Sequence, residues 1–385
     1  LKLSDMPKQK FKLKHHINLF IVLGLFLIFL TFELTSGLRQ SVRDLLVQIA
    51  YSAILAVSLN IVVGLLGELS LGHAGFMCVG AYIGGLIGNA LWSSVPHIAA
   101  LIAAMIGGGC AAAIAGLLIG IPTLRLKGDY LAITTLAFGE IVRNIFKNQA
   151  VFGKALGLST SYYGKNLFII AWIALFFTVL FAQNLQKSKH GRAIQAIRDS
   201  EISAKAMGVD VTYYKLVAFV LAAFFAGVAG ALYAHNVTPV RDTFFKFDKS
   251  IEILVMVVLG GMGNLTGSLI AAFALTFVNV KLDVWLSGDL ASIKKIVYAA
   301  ILIIVVIWNN APALRSIREK YSLMRWWTDM RERMPKPQKE EAEPPTTANW
   351  DKIPTKIPMD SIISTDISVR EEEDPNASER KPEVK

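Results

Sequence analysis

Long apolar runs alternate with short polar stretches through most of this chain. They fall at residues 17–32, 45–63, 76–91, 98–121, 130–145, 167–181, 216–235, 251–261, 265–280 and 296–308. A straight helix needs about 20 residues to cross the hydrocarbon core, so the shorter runs predict tilted, broken or buried segments. The expected fold is all-α: a polytopic membrane bundle of about 8–10 transmembrane segments with broken or re-entrant helices. Ten crossings fit if 251–261 and 265–280 form a bent pair, and eight fit if the weakest runs re-enter. Residues 17–32 follow a basic stretch, as a signal peptide would. No small-residue cleavage site follows, so they read as an uncleaved first helix.

Two places interrupt the apolar pattern. Residues 64–75 read GLLGELSLGHAG. The glycines predict a helix broken within protein-lined space, where unpaired backbone groups meet polar side chains or cargo instead of lipid. Gly67, Glu68, Ser70, Gly72, His73 and Gly75 are therefore candidate pathway or gate residues, with His73 read as a hydrogen-bonded support of the bend. Gly67-Glu68-Leu69-Ser70 also has a short echo in Gly263-Asn264-Leu265-Thr266. Broken helices in corresponding halves place substrate sites near the bilayer midplane in many transporters, with half-helix amides turned toward an anionic group. On that reading Gly263, Asn264 and Thr266 join the first break along the pathway; chance accounts equally well for four matching positions.

Charge sets the orientation. The chain is 54% hydrophobic and 18% charged, with a net charge of +10, well below the roughly 25% charged residues of soluble domains. Its lysines and arginines gather beside the apolar runs: in residues 1–16, at Arg125 and Lys127, through 183–215, and at Arg315, Arg318 and Lys320. This positive-inside pattern predicts both termini in the cytoplasm and speaks against a nucleic-acid partner. The uncharged turn WSSVPH, 92–97, fits the outside. The chain thus divides into a basic N-terminus (1–16), a transmembrane domain (17–310), a basic juxtamembrane segment (311–334) and a Pro-, Lys- and acid-rich tail (335–385) expected to be disordered.

Chemistry is sparse. Cys78 and Cys110 lie inside apolar runs and the six histidines are scattered, so neither a disulfide framework nor a metal site is indicated. No phosphate-cradling GxxxxGK[ST] loop and no nucleophile with a matching base is present. The chain reads as no enzyme, with no cofactor of its own. Glu140 and Arg143, three apart on a helix, predict a structural ion pair facing the bundle interior. Asp129, after Gly128, predicts a helix cap. Gly80, Gly84 and Gly88, and Gly116 and Gly120, recur every fourth position and predict close helix packing within the bundle.

Residues 187–214, KSKHGRAIQAIRDSEISAKAMGVDVTYY, alternate small apolar residues and charges at helical spacing until Gly208. The pattern predicts a short surface helix, a turn and a return to the membrane. A solvated amphipathic loop and a docking surface fit it equally.

This segment resembles the coupling loop of ABC-importer permeases. Ser203, Ala204 and Gly208 stand at the small-residue and glycine places of that loop's motif; its glutamate place falls on Ile202, with Glu201 one residue early. The candidate coupling residues are Arg192, Ala193, Ile197, Arg198, Glu201, Ser203, Ala204 and Gly208. Further runs, at 59–82, 126–145, 191–234 and 255–272, resemble the M-type permease subunit of branched-chain amino-acid ABC importers. The resemblance implies a pathway for leucine, isoleucine and valine delivered by an external substrate-binding protein. It implies pairing with a homologous H-type permease in a bacterial or archaeal plasma (inner) membrane, and two cytoplasmic ATPases that bind the ATP and magnesium. ATP binding would push on loop 183–215 and switch access. A related urea or amide importer, or an ATP-independent secondary transporter, is the alternative.

Overall fold

Apolar runs this long have one way to satisfy their backbone in a bilayer, which is to hydrogen-bond it internally as helix. In the computed structural model the described residues are 39–285, apart from 125, 127 and 162, with scattered positions within 22–31 and 296–303. The chain divides into two units, Leu1–Ala311 and Pro312–Lys385. The second unit, the basic N-terminus, the juxtamembrane segment and the tail lie outside the described residues, as do half of the run at 17–32 and most of the run at 296–308.

The other eight runs become helices. Helix α1 (Gln40–Asn60) continues into a π-helical turn (Ile61–Leu66); α2 (His73–Leu91), α3 (His97–Thr123), α4 (Asp129–Asn148) and α5 (Lys165–Lys187) follow. Two short helices, α6 (Lys189–Asp199) and α7 (Glu201–Ala206), precede α8 (Val211–Asn236), α9 (Phe247–Gly260) and α10 (Leu265–Trp285). Among the described residues six helices are long and apolar enough to cross a membrane. Helix α4 is not one of them, since it carries Asp129, Glu140, Arg143 and Lys147. Nor is α9, whose 14 residues span only about 21 Å at 1.5 Å per residue. Helices α9 and α10 are the bent pair: Gly261 and Gly263, at φ of +88° and +84°, turn the chain between them, in a conformation open to glycine at little cost.

Helix α1 is the centre of the bundle. Residues 49–66 are buried without exception, enclosed by α5, α8, α9 and α10. Helices α2, α3 and α8 form a second closely packed group. Gly80 lies against the Gly227 backbone, Gly84 against Ala231 and the Ala104 carbonyl, and Gly116 against Ala223. The predicted small-residue stripes therefore serve contacts inside the bundle, where close backbone approach replaces the hydrophobic drive that lipid removes. Outward, α3 presents Ile98, Ile102, Ile106, Ile114 and Leu118, all exposed, as suits a helix against acyl chains.

A methyl group at Gly230 would strike the Met77 carbonyl and the Ala81 amide of α2. Gly230→Ala is expected to force α2 and α8 apart and lower stability by about 1–3 kcal/mol. A detergent melting curve checks this, and an unchanged midpoint would mean that the seam is looser than its geometry.

Candidate functional site

The first helix break begins where α1 widens into the π turn, a departure that often marks functional positions. Gly67, at φ +80°, ends the turn. Residues 67–72 are non-helical, and α2 starts at His73 with Gly72 at its N-cap. The freed amides find hydroxyls on other helices. Leu71 N–H donates to Thr135 Oγ1 of α4 at 3.1 Å, and Ala74 N–H to Ser250 Oγ of α9 at 3.1 Å. Ser58 spends its only proton on the Leu55 carbonyl at 2.8 Å. Its oxygen is then the acceptor for His73 Nε2–H at 2.7 Å. Gly75 is seated against Gly139 of α4, and Ser70 is buried.

The second break is the turn between α9 and α10. Asn264 Oδ1 accepts from Gly267 N–H at 3.2 Å and so caps the start of α10, where Thr266 lies in the first turn. Gly263 N–H donates to Asn60 Oδ1 of α1 at 2.9 Å. The two breaks are therefore in contact. The echoed glycines, Gly67 and Gly263, share the left-handed conformation. The residues after them diverge: Glu68–Ser70 stay non-helical, whereas Leu265 and Thr266 open a helix.

The coupling segment closes on this junction. It is two helices where the sequence predicts one, because Ser200 turns extended between them and caps α7 by accepting from Ser203 N–H at 3.3 Å. Ser188 caps α6 and Asp210 caps α8 in the same way, so three caps of the kind favoured at N-termini were present in the sequence. Helix α6 buries Gly191, Ile194 and Ile197, and α7 buries Ala204. Gly208, at φ +80°, ends α7. Arg192, exposed beside the half-buried Ala193, bonds locally to the Lys187 carbonyl at 3.2 Å. Ile202 and Met207 are 83% and 84% exposed, an apolar pair on the side of α7 away from the bundle.

Two cations join this segment to the breaks. Arg198 lays its stem over Gly67, donates from Nη1 to the Gly64 carbonyl at 2.8 Å, and approaches Gly263. Lys215, nearly buried at the start of α8, pairs with Glu68 of the first break and stands 3.5 Å from Glu201. Glu201 also pairs with Lys205 at 2.9 Å. Glu68, Gly67, Gly263, Arg198 and Glu201 come from three separate stretches and meet here. Sequence reasoning missed Asn60 and Lys215; the latter counted only as a loop charge.

Elsewhere, Arg143 contacts Glu140 at 2.7 Å and also Asp242 at 2.8 Å. Glu140 Oε1 accepts from Phe247 N–H at 3.2 Å, which ties α4 to the first residue of α9. Asp242 was not foreseen. Asp129 is not the cap of α4: Gly128, at φ +59°, holds the N-cap position, and Asp129 is the first helical residue. Its charge still stands in the first turn, where the helix dipole favours it.

A bundle of membrane-crossing helices, interrupted twice at one end beneath an amphipathic segment, defines a multi-pass membrane protein of the transport class. The chain belongs to the branched-chain amino acid transport system / permease component family, which matches residues 41–306. It is similar to the high-affinity branched-chain amino acid transport system permease protein LivM of Salmonella typhimurium, with 32% identity over 308 residues, 70% of this chain and 69% of that one. The ribose import permease protein RbsC of Escherichia coli is 25% identical over 291 residues, 69% of this chain and 84% of that one. The probable branched-chain amino acid transport permease protein LivH of Methanocaldococcus jannaschii is 28% identical over 142 residues, 36% of this chain and 44% of that one.

Proposed function

We propose that this chain is one of two permease subunits of an ABC importer and forms half of the pathway for branched-chain amino acids. The observation that carries the reading is the α6–α7 segment, seated on both helix breaks and presenting Ile202 and Met207 outward. A carrier working alone has no use for such a surface, whereas an ATPase needs one. Two ATPase subunits would hold ATP and magnesium and dock on α6–α7, and an H-type permease would complete the pathway. The lysines and arginines around α6–α7 support a reading in which that end, and both termini, face the cytoplasm of a bacterial or archaeal cell, and a binding protein would deliver cargo at the other. The branched-chain cargo rests on the likeness to LivM; the likeness to a ribose permease indicates that such a backbone does not dictate cargo by itself.

Purification of the tagged chain from membranes expressing its neighbours is expected to bring along a second permease and two ATPases. In liposomes that complex should take up leucine only with ATP and the binding protein. Uptake by the chain alone, without ATP, would overturn the reading.

A further inference from the structure

The contacts between α6–α7 and the bundle are of two kinds. Gly191, Ile194, Ile197 and Ala204 are buried, and apolar contact of that kind is non-directional, so surfaces held by it alone can slide. The polar contacts are directional and few. Arg198 Nη1 holds the Gly64 carbonyl inside the π turn, its stem covers Gly67 and its guanidinium reaches Gly263. Lys215 lies between Glu68 of the first break and Glu201, the first residue of α7. A buried cation between two carboxylates resists separation, because parting them leaves charge uncompensated.

We infer that Arg198 and Lys215 transmit displacement of the α6–α7 segment to the two helix breaks, and so couple ATP hydrolysis by the partner to opening of the pathway. The inference rests on the functional reading above and adds the residues through which the stroke travels. Arg198 engages both breaks at once, since Asn60 and Gly64 bring the α9–α10 turn against the end of α1. Lys215 engages the first break from the side of α8. Both act as positioning residues: neither needs to meet the ATPase or the cargo.

The test uses the assembled transporter in liposomes, with leucine uptake and ATP hydrolysis measured together. Arg198→Met keeps the stem over Gly67 and removes the donor. It is expected to cut leucine moved per ATP hydrolysed by about 10-fold, within the usual span of coupling between sites. Arg198→Lys should recover part of that loss. Glu68→Gln keeps the shape of the first break, leaves Lys215 its Glu201 partner, and should lower the same ratio. An unchanged ratio in Arg198→Met and Glu68→Gln overturns the inference, as does hydrolysis falling in step with uptake, which marks lost docking. An unmodified complex that shows no ATP-driven uptake removes the functional reading itself.

Discussion

Arg143→Ala is expected to lower stability by about 3–5 kcal/mol, the usual cost of removing one partner from a buried ion pair. Arg143 is the only cation within 3 Å of both Glu140 and Asp242 among the described contacts, and Asp242 is 8% exposed at its side chain. The nearest other cation, Lys147, stands 3.8 Å from Asp242. Arg143→Lys should cost less, because it keeps the charge; it loses the fork that serves Glu140 through Nε and Nη2 and Asp242 through Nη1. Exchanging Glu140 and Arg143 is also expected to fail, because a carboxylate at 143 would face Asp242. The combined change Arg143→Met, Glu140→Gln, Asp242→Asn removes every charge of the trio and should recover much of the lost stability. Thermal melting and the yield of folded protein read all four variants. Arg143→Ala that melts normally but does not transport would move the trio from scaffold to pathway.

What was legible in the sequence follows from which interactions are local. Runs of apolar residues declare themselves: 98–121 becomes His97–Thr123, and 265–280 becomes Leu265–Trp285. The pair Glu140–Arg143 is a spacing of three on one helix, so sequence suffices to place it. Asp242 completes the trio from 99 positions away, and no local pattern points to it. Lys215 has the same history, since positive charge beside a span normally marks a loop; only the folded break brings Glu68 to it. The π turn leaves no compositional trace either, because it changes the hydrogen-bond register and not the residues. Glycines gave the breaks away, but whether GELS and GNLT would be coil or helix depended on what packs around them.

Gly64→Val should be the most damaging change at the junction. A Cβ at position 64 would fall on Asn60 Oδ1, 2.5 Å from Gly263 N and 2.8 Å from Gly263 Cα. The Asn60 side chain can swing away, at the loss of its bond to Gly263. Gly263 cannot, because the obstructing atoms are backbone and its φ of +84° fixes the turn. The α9–α10 turn must then leave the end of α1, and Arg198 can no longer reach both breaks. Overpacking of this kind costs about 1–3 kcal/mol, small beside the expected effect on transport, which is complete loss in liposomes with the complex still assembled. Gly64→Ala should be partly defective, and adding Asn60→Ala to it should give no rescue, since it clears only the side-chain clash. If Gly64→Val transported at the unmodified rate, contact between the two breaks would be dispensable and the junction would be scaffold alone.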